Sequence, residues 1–291
     1  MFVVLGATGK IGRATIAKLR GQGAPVRAVV RRPDGADDLS AMGCDIAVAD
    51  IQNGAALSES MRGATAVQII CPMSVRADHA AAEMKNSIGT IVDALDRNRP
   101  SSILAISDYG AHLASDTGIT LTFHHLESEL KKLPAALTFL RSAEHMENWS
   151  RQIGRAVETG MLPSLHHPTT KLFPTVSAPD VGVIAGELLL SDTQAPLRII
   201  HVEGPNRYSV EDVARTAGAL ASRKIATSEM PRPDWIPALV RGGLSASYAE
   251  LVAALYDAHN AGRIDLEPGV GEVRRGRTGL REVLASMTKT S

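Results

Sequence analysis

The chain has 291 residues, of which 44% are hydrophobic and 21% charged, and its 31 basic residues balance its 31 acidic residues. Without a basic surplus the chain is a poor candidate for general nucleic-acid binding, and its hydrophobic content excludes a disordered protein. Two cysteines cannot staple a fold of this size, so we expect reduced thiols. No apolar run approaches the ~20 residues of a membrane span and no targeting segment is visible, so we expect a cytoplasmic protein without a membrane partner.

Strand and helix patterns alternate through the first half of the chain. The predicted strands are residues 2–5, 26–30, 45–49, 66–71, 102–106 and 137–140. The predicted helices between them include residues 11–19, 80–97 and 126–133. This alternation predicts an α/β protein with a doubly wound parallel sheet and helices on both faces.

The pattern changes after about residue 141, where prolines become frequent. Helices are predicted at residues 181–190, 210–221 and 245–258, with Asp180 and Ser209 in the N-cap positions of the first two. We expect this half to form a smaller α+β lobe packed over one end of the sheet.

The most specific motif is a glycine loop, G-x-x-G-x-x-G, that lies between the first strand and the first helix. Gly6 allows a tight turn, Gly9 lets the backbone approach a pyrophosphate, and Gly12 lets helix and strand pack closely. Amide groups at the helix start would face the phosphates. A turn that binds nothing is the alternative. The predicted cofactor-binding residues here are Gly6, Thr8, Gly9, Lys10, Ile11 and Gly12.

The residues after the second strand bear on which dinucleotide binds. An NAD site usually has an acidic residue there for the ribose 2′-hydroxyl, but this strand ends in Arg31 and Arg32. A guanidinium suits the 2′-phosphate of NADP(H), whereas the alternative is two solvated arginines. Asp50, after the third strand, either accepts a hydrogen bond from adenine or caps the next helix.

Residues after the fourth and fifth strands are expected at the same edge of the sheet. Cys71, Pro72 and Met73 would line the path of the ribose and nicotinamide, with Cys71 packing rather than acting as a nucleophile. Ser107 is a further candidate for cofactor binding. Tyr109 either contacts the substrate or fills the turn, and the sequence favours neither.

Several segments in the same order resemble the NmrA-like family, atypical members of the short-chain dehydrogenase/reductase superfamily. They are GATGKIG at 6–12, VRAVVRRP at 26–33, ISDYGA at 106–111, HLESEL at 125–130, TFLRSAEHMEN at 138–148, FPTVSAPDVG at 173–182 and VEGPNRYSVEDVA at 202–214. The nearest resemblance is to the quinone-reductase and triphenylmethane-dye-reductase branch, which implies NADPH as cofactor. It also implies a Rossmann-type NAD(P)-binding domain at residues 1–150 and a smaller substrate-binding lobe at 151–291.

The Tyr-x-x-x-Lys pair typical of the superfamily is absent, because Leu113 stands four residues after Tyr109. In the resemblance, His125 occupies the place of a catalytic lysine, as it does in the quinone- and dye-reductase branch. A partly buried structural histidine is the alternative. Without a strong acid, the protein suits conjugated acceptors such as quinones, dyes or enones, whose π-systems spread the negative charge that hydride transfer creates.

The segment after the sixth strand is expected to wall the substrate pocket. Its predicted substrate-binding residues, together with Tyr109, are Glu144, His145, Met146 and Asn148. The adjacent histidine pairs 124–125 and 166–167 point apart and make poor chelates, so no metal is expected.

Two hypotheses of function follow. The first is an NADPH-dependent reductase of a small molecule, with Tyr109 and His125 as candidate catalytic residues. The second is a regulator that binds NAD(P) and reports redox state to a protein partner without turnover. The chain is expected to be a monomer or a homodimer, in which the long helix at 80–97 could pair with a second copy.

Overall fold

A computed structural model of the protein describes residues 1–71, 73–191 and 195–288. Strands and helices alternate through its first half, as the sequence predicts. The strands are β1 Phe2–Leu5, β2 Val26–Val30, β3 Asp45–Val48, β4 Ala66–Ile69, β5 Ser102–Asp108, β6 Ala136–Ser142, β7 Glu144–His145, β8 Met161–Ser164, β9 Thr175–Val176, β10 Leu197–Glu203, β11 Ala226–Glu229 and β12 Glu272–Arg275. The helices are α1 Lys10–Gly21, α2 Asp37–Ala41, α3 Gly54–Ser60, α4 Ala80–Asn98, α5 Thr120–Leu130, α6 Ser150–Thr159, α7 Ala178–Leu190, α8 Val210–Ala221, α9 Trp235–Arg241, α10 Ala246–Asn260 and α11 Leu280–Thr288.

The main sheet is an eight-stranded parallel sheet in the order β3-β2-β1-β4-β5-β6-β10-β12. From β1 the chain first builds outward through β2 and β3, and then returns to the other side of β1 with β4. The order therefore reverses between β1 and β4, which is the position at which doubly wound sheets bind ligands. The predicted Rossmann-type fold is confirmed.

Alternate residues of the buried strands supply two separate cores, one on each face of the sheet. Val3 and Leu5 of β1 pack with side chains of α3, α4 and α5, including Ile88 and Leu126. Val4 faces the other way and packs with α1. Successive side chains of β1 therefore point to opposite faces of the sheet, as expected for a strand that is buried on both faces.

Residues on both sides of position 150 build the main sheet, because β10 and β12 extend it and α7 packs on α1. The remaining elements form a small lobe with its own core, in which α6, α8 and α11 surround Trp149 and Leu162. The division into a domain of residues 1–150 and a lobe of residues 151–291 stays a prediction.

The structure corrects two of three predictions about where helices begin. Helix α5 begins at Thr120 rather than at 126, because its buried face uses threonine and glutamate and so hides the apolar periodicity. The prediction of Asp180 as an N-cap is wrong: Ser177 precedes α7, and Asp180 accepts hydrogen bonds from Thr278. Ser209 caps α8 in a capping box with Asp212, as predicted.

Two features are absent from the residues that the structure describes. None of their helices is both long and apolar enough to cross a membrane. They contain no group of three or more histidine, cysteine, aspartate or glutamate side chains that could hold a metal ion.

Helices α1 and α7 pack unusually closely. A Cβ on Gly182 would overlap the carbonyl oxygen of Ile11 and lie 2.7 Å from Cβ of Ala14. Thr15 Oγ1 donates a hydrogen bond to the carbonyl oxygen of Gly182 at 3.1 Å. The start of α1 is therefore held from both sides, by the sheet and by α7.

Replacing Gly182 by alanine is expected to lower the free energy of unfolding by roughly 1–3 kcal/mol, because the added methyl group overpacks a backbone contact. Gly154 is the matched control, since it lies on the exposed side of α6 and a Cβ there meets no atom within 4 Å. Gly154→Ala is expected to raise the free energy of unfolding by about 0.5–1 kcal/mol through helix propensity. Urea unfolding of both variants measures the difference, and similar effects at the two positions would contradict the close packing.

Candidate nucleotide-binding cleft and active site

The glycine loop turns at the point where the strand order reverses. Gly6 follows β1 with a φ of +67°, and a Cβ added to it would lie 3.2 Å from Cβ of Ile70, beside the end of β4. A Cβ on Gly12 would overlap the carbonyl oxygen of Gly6 and lie 2.9 Å from Cα of Ala7. These positions have the tight turn and the close helix–strand approach that the sequence predicts.

Gly9 differs from both. A Cβ on Gly9 would lie 3.4 Å from its nearest neighbour, the carbonyl oxygen of Gly6, so the protein itself leaves room there. Its backbone, with a φ of −77°, is accessible to any residue. A pyrophosphate close to this backbone would explain the glycine, and that role stays a prediction.

Arg13, which the sequence analysis did not single out, holds the glycine loop in place. Its Nε donates to the carbonyl oxygen of Thr8 at 2.9 Å, and its guanidinium also donates to the carbonyl oxygen of Gly35 at 3.1 Å and pairs with Asp38. Arg13 thus ties the loop after β1 to the segment after β2. Its position directly after Gly12 is the signal that the sequence offers, because two of its three partners, Gly35 and Asp38, lie more than 20 residues away.

A cleft of about 520 Å³ opens over the carboxyl ends of β1, β2 and β4. It brings together five of the predicted cofactor-binding residues: Gly6, Thr8, Arg31, Asp50 and Met73. It also brings in residues that the prediction missed: Gln52, Ser74, Arg76, Glu83 and Ser87. Arg76 is a second cation that lines the same cleft as Arg31. It belongs to the loop after β4, and the sequence alone does not show that this loop lies near the end of β2.

Other predicted cofactor-binding residues do not line this cleft. Lys10 and Arg32 are exposed, and Ile11 is buried between α1 and α7. Cys71 is buried in the core beneath α4, and burial raises the pKa of its thiol to about 12, which suits packing and not nucleophilic attack. Pro72 lies outside the described residues.

Asp50 does not cap the next helix. Its Oδ1 accepts a hydrogen bond from the amide of Gln52 at 2.9 Å, whereas Asn53 caps α3 by accepting from the amide of Ala56. The capping alternative is therefore wrong. Asp50 is exposed at the cleft wall, and its contact with adenine stays a prediction.

The cleft fits a phosphorylated dinucleotide. Its volume lies within the ~300–1,000 Å³ typical of small-molecule and cofactor sites. Gly6 and Thr8 of the glycine loop line the cleft, and the protein leaves room beside Gly9. Arg31 and Arg76 place two guanidinium groups in a wall that also contains the carboxyl groups of Asp50 and Glu83. The residues present therefore suit an anionic cofactor whose phosphates meet the loop and the two guanidinium groups.

Beyond this cleft, a buried network of charges locks the ends of β5 and β6 to α5. Glu127 accepts hydrogen bonds from Ser107 Oγ at 2.7 Å and from two nitrogens of Arg141 at 2.8 and 2.7 Å. A third nitrogen of Arg141 donates to Glu267 at 2.6 Å. Glu127 and Arg141 are each 2% exposed. The Ser107 hydroxyl, a predicted cofactor contact, is thus already engaged as a donor.

Tyr109 is buried behind the end of β5. It is 1% exposed, its ring packs edge-on against His201 with centroids 5.4 Å apart, and its hydroxyl meets no hydrogen-bond partner among the described residues. Burial raises its pKa above the ordinary value. This position favours the turn-filling alternative, and a catalytic or substrate contact stays a prediction.

Asp108, between Ser107 and Tyr109, is a polar residue that the sequence analysis passed over. Its Oδ2 accepts a hydrogen bond from Thr120 Oγ1 at 2.6 Å. Burial raises the pKa of its carboxyl to about 7, and nearby Glu144 and Glu127 act in the same direction. The acid looks like an ordinary strand-end aspartate in the sequence, because these neighbours come from elsewhere in the chain.

His125 lies on α5 with its ring about one-third exposed. Its Nδ1 is 3.9 Å from Glu129, whose carboxylate is bound more closely by Lys132 at 2.7 Å. The neighbouring His124 is instead engaged through Nδ1 with the carbonyl oxygen of Ala111. His125 is therefore the less committed of the pair, and its catalytic role stays a prediction.

The predicted substrate wall after β6 divides into buried and exposed residues. Glu144 contacts His166 Nε2 at 2.9 Å and accepts from the Tyr256 hydroxyl at 3.1 Å. Burial opposes its ionisation, but His166 and His259 outweigh burial and lower the pKa of Glu144 to about 2. Glu144 is therefore a carboxylate tied to the small lobe.

The other three wall residues have different surroundings. His145 Nε2 lies 3.0 Å from Ser142 Oγ, and burial lowers the pKa of the imidazole. Met146 is fully buried in the core of the small lobe, and Asn148 is exposed. Substrate contact by any of them stays a prediction.

The sheet topology and the cleft together define a doubly wound dinucleotide-binding protein. Residues 6–148 match the model of the NAD(P)H-binding family, so the chain contains an NAD(P)H-binding domain.

Comparison with individual proteins narrows the resemblance. The chain is 22% identical over 258 residues to quinone oxidoreductase 2 of Escherichia coli strain K12, covering 87% of this chain and 86% of the relative. Its fold matches the Citrobacter sp. triphenylmethane reductase with a TM-score of 0.82, at 17% identity, over 99% of each chain. It matches the Escherichia coli NADPH-dependent quinone oxidoreductase complexed with NADPH with a TM-score of 0.82, at 19% identity, over 99% and 100% of the two chains. The resemblance to the quinone- and dye-reductase branch is confirmed.

Gly9→Ala is expected to change the free energy of unfolding by less than about 0.5 kcal/mol, because the protein leaves space for the methyl group. The same methyl group would stand where the pyrophosphate meets the loop, so the dissociation constant for NADPH is expected to rise about tenfold or more. Gly12→Ala is the comparison, since its methyl group clashes with the loop itself and should lower stability. Calorimetry and urea unfolding separate the two effects, and unchanged NADPH affinity in Gly9→Ala would contradict the assignment.

Proposed function

We propose that the protein is an NADPH-dependent oxidoreductase that transfers a hydride to a conjugated small molecule of the quinone, dye or enone type. The observation that carries this proposal is the cleft at the switch point, with the glycine loop and the Arg31 and Arg76 side chains in its walls. The NAD(P)H-binding domain and the similarity to a quinone oxidoreductase and a dye reductase support it.

Two arginines in the cleft favour NADPH over NADH. Arg31 stands where an NAD site carries an acidic residue, and Arg76 adds a second guanidinium to the same cleft. A guanidinium can bind the 2′-phosphate of NADPH through two hydrogen bonds, and each charge-assisted bond is worth ~1.5–3 kcal/mol. NADH offers no phosphate at this position, so Arg31 gives it no comparable advantage.

The groups near the end of β5 favour a conjugated acceptor. Leu113 replaces the lysine of a Tyr-x-x-x-Lys pair, Tyr109 is buried, and the Ser107 hydroxyl is bonded to Glu127. A bound reduced nicotinamide supplies the hydride. An acceptor that spreads the resulting charge over a π-system places the smallest demand on the protein for an acid.

The proposed roles follow the position of each residue. The glycine loop with Thr8 would hold the pyrophosphate, Arg31 and Arg76 the 2′-phosphate, and His125 would approach the nicotinamide ribose or the acceptor. A cytoplasmic location, a monomeric or homodimeric state and the lack of a nucleic-acid partner remain predictions from the sequence.

Binding and turnover of the purified protein test the proposal together. We expect NADPH to bind by calorimetry and its absorbance to fall when a quinone, a triphenylmethane dye or an enone is added. Simple ketones should be reduced poorly. Turnover of ketones without turnover of quinones would overturn the proposed acceptor class, and tight NADPH binding without any turnover would return the redox-sensing hypothesis.

Arg31→Ala is expected to raise the dissociation constant for NADPH by roughly ten- to a hundredfold while leaving that for NADH nearly unchanged. Arg32→Ala is the matched control, because Arg32 is an adjacent exposed arginine that does not line the cleft. It should change either constant by less than about threefold. Equal losses for NADPH and NADH in Arg31→Ala would contradict binding of the 2′-phosphate.

A further inference from the structure

We propose that Asp108 is the acid that protonates the acceptor when the hydride is transferred, an assignment that rests on the proposed reductase function. Asp108 is the last residue of β5, at the edge of the sheet where the switch-point cleft opens. It therefore lies among the strand ends that bind ligands in this fold, two strands from β1 and outside the lining of the cleft itself.

Two groups approach the Asp108 carboxyl, the hydroxyl of Thr120 and the backbone amide of Tyr109. Thr120 Oγ1 donates to Oδ2 at 2.6 Å, and among the described residues no side chain donates to Oδ1. The residue is only partly buried, whereas Ser107 before it turns its hydroxyl inward to Glu127 and Tyr109 after it is enclosed. Because Oδ2 accepts from Thr120, we place the proton of the neutral acid on Oδ1, to which no described side chain donates.

The charges around Asp108 favour its neutral form. Glu144 on β7, Glu127 on α5 and Tyr248 on α10 face it, and no cation in the described part of the chain forms an ion pair with it. Burial in this acidic setting raises its pKa to about 7. At neutral pH the carboxyl is thus close to half protonated, which lets it give a proton and regain one from solvent.

Two classes of acceptor make different demands on this acid. As a quinone gains the hydride, negative charge develops on its oxygen. In the same step the O–H bond of Asp108 breaks and its proton forms an O–H bond with that oxygen. The nicotinamide is oxidised, and the Asp108 carboxylate regains its proton from water. A cationic triphenylmethane dye gains the hydride at its central carbon and becomes neutral, so no proton is transferred.

Asp108→Asn separates these cases. The amide oxygen can still accept from Thr120, but the side chain no longer carries an acidic proton. At pH 6, where the wild-type carboxyl is mostly neutral, kcat/KM for a benzoquinone is expected to fall at least about tenfold, the lower side of general acid–base contributions. kcat/KM for the cationic dye and the dissociation constant for NADPH should stay within about threefold, and these two readouts also verify that the variant is folded.

The pH dependence has a definite sign. In the wild type, kcat/KM for the quinone should decrease as pH rises through about 7, because the ionised carboxylate has no proton to give. This decrease should be absent in Asp108→Asn and restored in Asp108→Glu.

Several outcomes would overturn the assignment. Equal losses for quinone and dye would make Asp108 a structural residue, and an unchanged quinone rate with an unchanged pH profile would exclude it as the donor. If the wild type reduces the quinone but not the dye, the pH profile is the test: a decrease in kcat/KM near pH 7 that persists in Asp108→Asn, or that Asp108→Glu fails to restore, would contradict the assignment. A wild-type protein that binds NADPH but reduces neither acceptor would contradict the proposed function itself, and the assignment of Asp108 would fall with it.

Discussion

The close approach of helix α1 to the end of β1 is the constraint on which the rest of the structure depends. No side chain larger than hydrogen fits at Gly12, because the carbonyl oxygen of Gly6 already occupies that space. On the opposite side of the same helical turn, Gly182 of α7 meets the carbonyl oxygen of Ile11. The start of the helix is therefore packed between the sheet and α7, at the point where the strand order reverses.

The edge of the sheet at the start of α1 has two chemically different regions. Over β1, β2 and β4, the cleft is lined by the turn at Gly6 and by two guanidinium groups, which suit phosphate groups, together with the carboxyl groups of Asp50 and Glu83. Over β5 and β7, carboxyl groups predominate, and burial favours the neutral form of both Glu144 and Asp108. His166 nevertheless holds Glu144 ionised, whereas no cation among the described residues pairs with Asp108, which tends to its neutral form. Parallel strands deliver both regions to one edge, so a cofactor and an acceptor can meet there.

The Glu127–Arg141 pair connects these regions to the body of the fold. Buried ion pairs contribute little net stability, because desolvation offsets most of the attraction, but breaking one leaves an uncompensated charge. This pair holds Ser107 of β5, Arg141 of β6 and helix α5 in a single arrangement, and Glu267 extends it into the C-terminal half. The helix that carries His125 and Thr120 is thereby fixed relative to the strand that carries Asp108.

Features that depend on local backbone geometry and on residue periodicity could be predicted from the amino-acid sequence. The glycine spacing defines the loop, the alternation of apolar segments defines a doubly wound sheet, and the Ser209 cap needs only Asp212 three residues later. Arg31 could also be placed at the cleft, because its distance from the glycine loop is a property of the fold. Other features emerge only from the folded chain. Tyr109 is enclosed, Asp50 and Asp180 accept hydrogen bonds instead of capping the helices predicted for them, and Arg76 lines the same cleft as Arg31. The raised pKa of Asp108 likewise depends on its tertiary neighbours. The physical reason is that burial, charge and hydrogen bonding of a side chain are set by neighbours distant in sequence, which no local pattern encodes.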